Sequence, residues 1–123
     1  MAIVALCFPA HAQFASSLIF RAGDDQVFAN PGDVQAEAVL LADGGIGVTL
    51  QLEGLLRYQF EQLTGAHLGN PLAVILCGRT LINPVVTERI STGQVSLPAP
   101  SLDAADRIAD VISGRAGCAR LDP

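Results

Sequence analysis

The stretch FEQLTGAHLGNPLAVILCGRTLINPVV, from Phe60 to Val86, decides the fold. It opens on the end of a helix. Leu52, Leu56, Phe60 and Leu63 fall at i, i+4, i+8 and i+11, the stripe with which a helix packs on a sheet. Glu53 favours the helix N-terminus, and Gly65 or Gly69 with Pro71 ends it, so the helix is predicted over Glu53 to His67. Leu72 to Leu76 is a continuous apolar run, as in a strand that is covered on both faces or central in a sheet. Gly78-Arg79 turns the chain. Thr80 to Ile90 then reads as a second strand, which Asn83-Pro84 must bend or bulge because proline removes a ladder donor.

Downstream, Thr92-Gly93 leads into a third strand, Gln94-Val95-Ser96-Leu97, and Pro98 to Pro100 reads as a linker. Ser101 is a good N-cap, with Asp103 in the first turn of a last helix. Leu102, Ala105, Ile108, Ala109 and Ile112 form its apolar stripe, and Gly114 ends it. Upstream, Ser16 to Phe20 and Gln26 to Ala29 are short strand candidates. Asn30-Pro31-Gly32-Asp33 is a turn in which proline fixes φ and glycine supplies the positive φ. Val34 to Ala42 reads as a turn of helix running into a strand, and Asp43-Gly44-Gly45 as a hairpin. Gly47 to Leu52 alternates cleanly, placing Val48, Leu50 and Leu52 on one face and Thr49 and Gln51 on the other. Together these predict an α+β fold: a two-layer sandwich with two helices on one face of a mostly antiparallel sheet of four or five strands. No internal repeat or inter-domain linker interrupts it. One domain is expected over residues 13–113, followed by a mobile tail over 114–123.

The order F-x-x-L-T at Phe60 to Thr64, G-N-P at Gly69 to Pro71, C-G-R at Cys77 to Arg79, N-P-V at Asn83 to Val85, T-G-Q-V-S at Thr92 to Ser96 and the helix S-L-D-A-A-D-R-I-A-D-V-I at Ser101 to Ile112 resembles the periplasmic head subdomain of the preprotein translocase subunit SecD. In that family a helix ending F-x-x-L-T is followed by a Gly-Lys-Pro-like turn and an apolar strand with a D-G-K-like tip. A strand containing A-P-V, a Gly-Gln-Ile-Ser-like strand and a helix of E-E-A-x-x-L-A type come next. The resemblance runs from about Gly32 to about Ser113 and implies the same α+β arrangement. Two departures fall at one loop: Cys77 stands where the family tends to have aspartate, and Arg79 where it tends to have lysine.

The chain has 123 residues, 50% of them hydrophobic, enough for one ordinary core. Its formal net charge is −5, its seven cations are all arginine and none form a basic run, so nucleic acid and anionic membrane surfaces are poor partners. No run of about 18 apolar residues suggests a membrane helix. Ala2 to Phe8 followed by Ala10-His11-Ala12 resembles a short secretory signal with an A-x-A cleavage site, although no positive residue precedes the apolar core; the alternative is a buried first strand. Cys7 would leave with such a signal. Cys77 and Cys118 would remain, and in an oxidising compartment the two can pair. Against pairing stand the place of Cys118 in the tail and a separation that can exceed about 7 Å. They lack C-x-x-C spacing, which speaks against a zinc or redox site.

Chemistry is sparse. His67 and Cys77 are the residue types of a base and nucleophile, but no third group or oxyanion donor accompanies them, so a surface histidine and a structural cysteine are expected. Asp103, Asp106 and Asp110 share a helix face opposite the apolar stripe and read as solvated. No calcium loop and no phosphate cradle is present, and no cofactor or metal is expected. SecD couples proton flow to export through membrane helices that follow its periplasmic region. The resemblance therefore implies a free-standing, non-catalytic head domain, periplasmic or secreted, that contacts extended polypeptide or an envelope protein. Its candidate surface is an edge formed by Asn83, Pro84, Val85 and Val86 or by Gln94, Val95, Ser96 and Leu97, where strand addition supplies backbone hydrogen bonds. The alternatives are a small ligand-binding protein or hydrolase with a site between helix and sheet, and a fragment of a longer translocase subunit. The signal reading predicts a mature chain that begins at Gln13. Mass spectrometry of protein from envelope fractions checks it, and an intact Met1 there contradicts it.

Overall fold

Alternation and turn chemistry together build the chain's sheets, seen in a computed structural model that describes residues 18–122. β1 (Leu18–Ala22) and β2 (Asp25–Ala29) form a hairpin in which Ala22 faces Asp25. A 3-10 turn over Pro31–Asp33 enters β3 (Val34–Leu40), which pairs with β4 (Ile46–Leu52) from Val34↔Leu52 to Leu40↔Ile46. The turn of helix predicted at the start of Val34 to Ala42 is absent: the chain is strand from Val34, and the 3-10 turn precedes it. At the tip Asp43 Oδ1 accepts the Gly45 N–H at 2.8 Å, the aspartate bond that makes Asp-Gly-Gly a hairpin signal.

After α1 (Gly54–Ala66) come β5 (Ala73–Leu76), β6 (Arg79–Ile82), β7 (Gln94–Ala99) and α2 (Leu102–Ile112). The strands are antiparallel and divide between two sheets, β2-β1-β5-β6 and β3-β4-β7. The α+β class and the two helices stand as read from the sequence. The division into two sheets did not emerge from it, and each helix has its own: α1 lies against β1 and β2, α2 against β3, β4 and β7. Among the described residues no helix is long and apolar enough to cross a membrane.

The alternation in β4 is kept. Val48, Leu50 and Leu52 are fully buried, while Thr49 and Gln51 on the other face are only half-buried. Register places Ala36 and Ala38 of β3 and Val95 and Leu97 of β7 on the apolar face beside them. The opposite face carries Gln35, Glu37, Gln94 and Ser96, as an antiparallel sheet with one solvated side requires. In β5, Val74, Ile75 and Leu76 are all buried, matching the reading of a strand covered on both faces. The buried side chains of both sheets and both helices form one continuous core.

Three local expectations need correction. Pro98 and Ala99 are not linker but the end of β7, facing Gly47 and Ile46 of β4. β7 is an edge strand, where a proline without an N–H is tolerated. In α2, Ser101 caps as expected, its Oγ accepting the Ala104 N–H at 3.1 Å. Leu102, however, is 56% exposed, and Val111 in the last turn is buried instead. The tail is structured. It makes a 3-10 turn over Cys118–Leu121, Asp110 accepts from Arg115 at 3.1 Å and contacts Arg120 at 3.5 Å, and Arg79 donates to Asp122 at 2.8 Å.

A disulfide between Cys77 and Cys118 closes that tail onto the β5–β6 turn, with the Cα atoms 5.9 Å apart. The turn is a two-residue hairpin, Cys77-Gly78, between the facing residues Leu76 and Arg79. Both central residues have positive φ, 53° and 78°, the geometry of a type I′ turn that favours Asn-Gly or Asp-Gly. A cysteine there is unfavourable for the backbone by about 1 kcal/mol. Its sulfur explains its presence, since a disulfide across 41 residues contributes about 4 kcal/mol in the chain-entropy model. Cys118→Ser is expected to lower the unfolding free energy by about 2–4 kcal/mol. In that background Cys77→Asn is expected to recover about 1 kcal/mol, because asparagine enters the left-handed region more easily. Urea unfolding measures both; an unchanged midpoint for Cys118→Ser contradicts the assignment.

Candidate functional site

The end of α1 positions everything that follows it. Phe60 meets Phe20 of β1 edge-on, with ring centroids 4.8 Å apart at 64°, a pair worth about 0.5–1.5 kcal/mol beyond its buried area. Leu56 and Leu63 are buried beside them, and Thr64 is the one fully buried polar side chain among the described residues. Its Oγ1 donates to the Glu61 carbonyl at 3.0 Å and accepts the Ile90 N–H at 2.9 Å. The hydroxyl thus fastens the segment after β6 to the helix.

Further bonds fasten the same segment along its length. Arg89 Nε donates to Glu61 Oε2 at 3.0 Å, Arg57 Nε to the Ser91 carbonyl at 2.9 Å and Gln51 Nε2 to the Thr92 carbonyl at 3.0 Å. Leu52 N–H reaches the Gly93 carbonyl at 2.8 Å. Gly93 has φ +78°, and a Cβ there would lie 2.6 Å from the Leu52 carbonyl oxygen, so the close approach requires glycine. F-x-x-L-T, on α1, thus anchors a strap that crosses the helix and leads through T-G-Q into β7.

This arrangement corrects the strand predicted over Thr80 to Ile90. β6 stops at Ile82, and residues 83–93 run as irregular chain. Asn83, Pro84 and Val85 are exposed and Val86 is buried. One side of their backbone is already paired. The Pro84 carbonyl accepts from Leu72 at 2.8 Å, Val86 N–H donates to the Asn70 carbonyl at 2.9 Å, and the Val86 carbonyl accepts from Gly69 at 2.8 Å. Val85 forms an isolated bridge with Pro71. The G-N-P and N-P-V motifs therefore pair with each other.

Gln94, Val95, Ser96 and Leu97 lie in β7, bonded to β4 and not to Asn83–Val86, so the two candidate segments do not make one hairpin. Leu97 is buried, Val95 half-buried, and Gln94 and Ser96 exposed. The outer side of β7 pairs with no strand among the described residues.

His67 and Cys77 are not a base and nucleophile. The Cys77 sulfur is held in the disulfide, and His67 Nε2 donates to Asp25 Oδ2 at 2.7 Å. The His67 side chain is only 14% exposed, so this pair docks the end of α1 on the β1–β2 hairpin. Of the aspartates expected to be solvated, Asp103 pairs with Arg107 and Asp110 holds the tail. Sequence reasoning missed Thr64 as an anchor. Its one signal was position: a threonine directly after the apolar stripe, at the buried end of the helix. Residues 1–12, with the signal and its cleavage site, lie outside the described residues.

The arrangement resembles part of SecDF. Two solved structures resemble this one, SecDF in a super-membrane-facing form and SecDF described as a membrane component that enhances protein export. Each is 30% identical to this chain, superposes with a TM-score of 0.64 and covers 68% of it. The chain spans 12% of the length of the first and 39% of the second. The likeness to SecD read from the sequence is thereby borne out. No protein-family model and no curated protein matches the chain.

Proposed function

We propose that the chain is an extracytoplasmic, non-catalytic binding domain that contacts extended polypeptide in the context of protein export. The observation that carries this reading is the SecDF likeness, which at 30% identity over 68% of the chain extends beyond shape to sequence. Supporting it, the disulfide suits an oxidising compartment such as the periplasm. The cysteine that a covalent mechanism would use is committed to that bond.

Binding of an extended chain needs an open ladder. Both segments that the sequence suggested are paired on one side, Asn83–Val86 with Gly69–Leu72 and Gln94–Leu97 with β4. Backbone hydrogen bonds at such an edge give affinity without strong sequence preference, which suits a domain that meets many unfolded chains.

Calorimetric titration distinguishes this from a purely structural role. The ligand is a reduced, carboxymethylated polypeptide, with the same polypeptide in its folded form as control. The unfolded ligand is expected to bind in the micromolar range and the folded one not at all. Heats indistinguishable from dilution for both, up to millimolar ligand, contradict the proposal.

A further inference from the structure

A different edge meets the requirements of a binding site more fully. β2 is one of the two outer strands of the four-stranded sheet, and among the described residues no strand pairs with its outer side. Between it and α1 lies an open groove of about 700 Å³, within the usual size of a ligand site. The strand contributes Gln26, Val27 and Phe28 and the helix Leu55, Tyr58 and Gln59. Gln26 and Phe28 project from one face of the strand and Val27 from the other, so the groove takes in the edge itself, with its backbone donors and acceptors.

The groove is apolar where a soluble surface would be polar. Phe28 is 53% exposed, Leu55 69% and Tyr58 57%. Leu55 and Tyr58 lie three residues apart on one flank of α1, outside the stripe that packs the core. Burying large apolar side chains on a partner is the main source of affinity at such contacts. β7 lacks this feature: its exposed residues Gln94, Ser96 and Pro98 are polar or lack an N–H.

Charge limits the partner. Asp25 and Asp33 lie on the groove lining, which contains no arginine, in a chain of net charge −5. Asp25 bonds His67 yet remains 68% exposed at its side chain, free to meet a second partner. β2 is five residues long, about 17 Å at the rise of a strand. We infer that the β2–α1 groove binds an extended polypeptide segment of about five residues, with apolar side chains and flanking lysine or arginine, by adding it as a strand to β2. This deepens the polypeptide-binding reading and rests on it.

The probe is a synthetic nine-residue peptide of alternating leucine and serine with lysine at each end; its counterpart carries glutamate at each end. Amide shifts of the isotope-labelled protein are followed during titration. The lysine peptide is expected to shift Gln26 to Asn30 and Leu55 to Ala66. The glutamate peptide is expected to bind at least tenfold more weakly, and added salt to narrow the difference. Leu55→Ala and Tyr58→Ala, both at exposed positions, are expected to weaken the lysine peptide about tenfold with unchanged melting curves. Shifts confined to Gln94 to Ala99 overturn the groove while leaving polypeptide binding intact, and no shift with either peptide overturns both. Equal affinity for the two peptides overturns the cationic partner. Groove shifts produced by protein concentration alone assign the groove to a second copy and overturn the proposal.

Discussion

The structure depends on one buried hydroxyl. Thr64 lies at the end of α1, where the helix, the hairpin of β1 and β2 and the crossing strap meet, and its Oγ1 satisfies the Ile90 N–H at 2.9 Å. A buried donor without a partner costs about 1–3 kcal/mol, so an apolar residue of the same shape would not serve. The apolar neighbours determine where that hydroxyl sits. Phe60 against Phe20 fixes the helix on the first sheet, and Leu63 fixes its rotation. With Ile90 held, Arg57 and Gln51 reach the next carbonyls of the strap, and Gly93 brings the chain to β4 at the start of β7. The second sheet is thus aligned with the first through the strap as well as through the shared core.

That dependence explains what was legible in the sequence. Periodicity revealed the helix from Glu53 and the face of Val48, Leu50 and Leu52, because both follow from simple burial on one side. Turn chemistry revealed Asp43-Gly44-Gly45. The strap was misread as a strand, since Val85, Val86 and Ile90 carry the composition of one; what makes it irregular is tertiary, the Thr64 hydroxyl and the Arg57 and Gln51 side chains that compete for its backbone. Pro98 reads as a strand breaker, yet an edge strand accepts it. The ordered tail had no apolar pattern, and its organisation comes from Cys118 and from the carboxylate of Asp110, partners that no local rule identifies. The groove was invisible for a related reason. Leu55 and Tyr58 lie off the core stripe, and Phe28 belongs to a strand too short to show a period.

The same constraint shapes the surfaces available for function. The strap commits the Pro84 carbonyl and both backbone groups of Val86 to residues 69–72, so the segment most suggestive of strand addition in the sequence is paired on one side. The outer strands of the two sheets are β2, β6, β3 and β7, and β2 with α1 beside it forms the apolar groove. Anchoring the end of α1 through Thr64 and His67 holds that wall in place against the β1–β2 hairpin. The likeness to SecDF, a membrane component that enhances protein export, gives such a groove a context in which unfolded chains are present.

The central claim is that the Thr64–Ile90 bond holds the strap as part of the core. Native-state hydrogen exchange at the Ile90 amide tests it most directly. The account predicts that Ile90 exchanges only through global unfolding, with the protection of Leu52 in β4, and that Thr64→Val lowers stability by about 1–3 kcal/mol while releasing Ile90 selectively. Fast exchange at Ile90 in the wild-type protein, at the rate of an exposed loop, would contradict it.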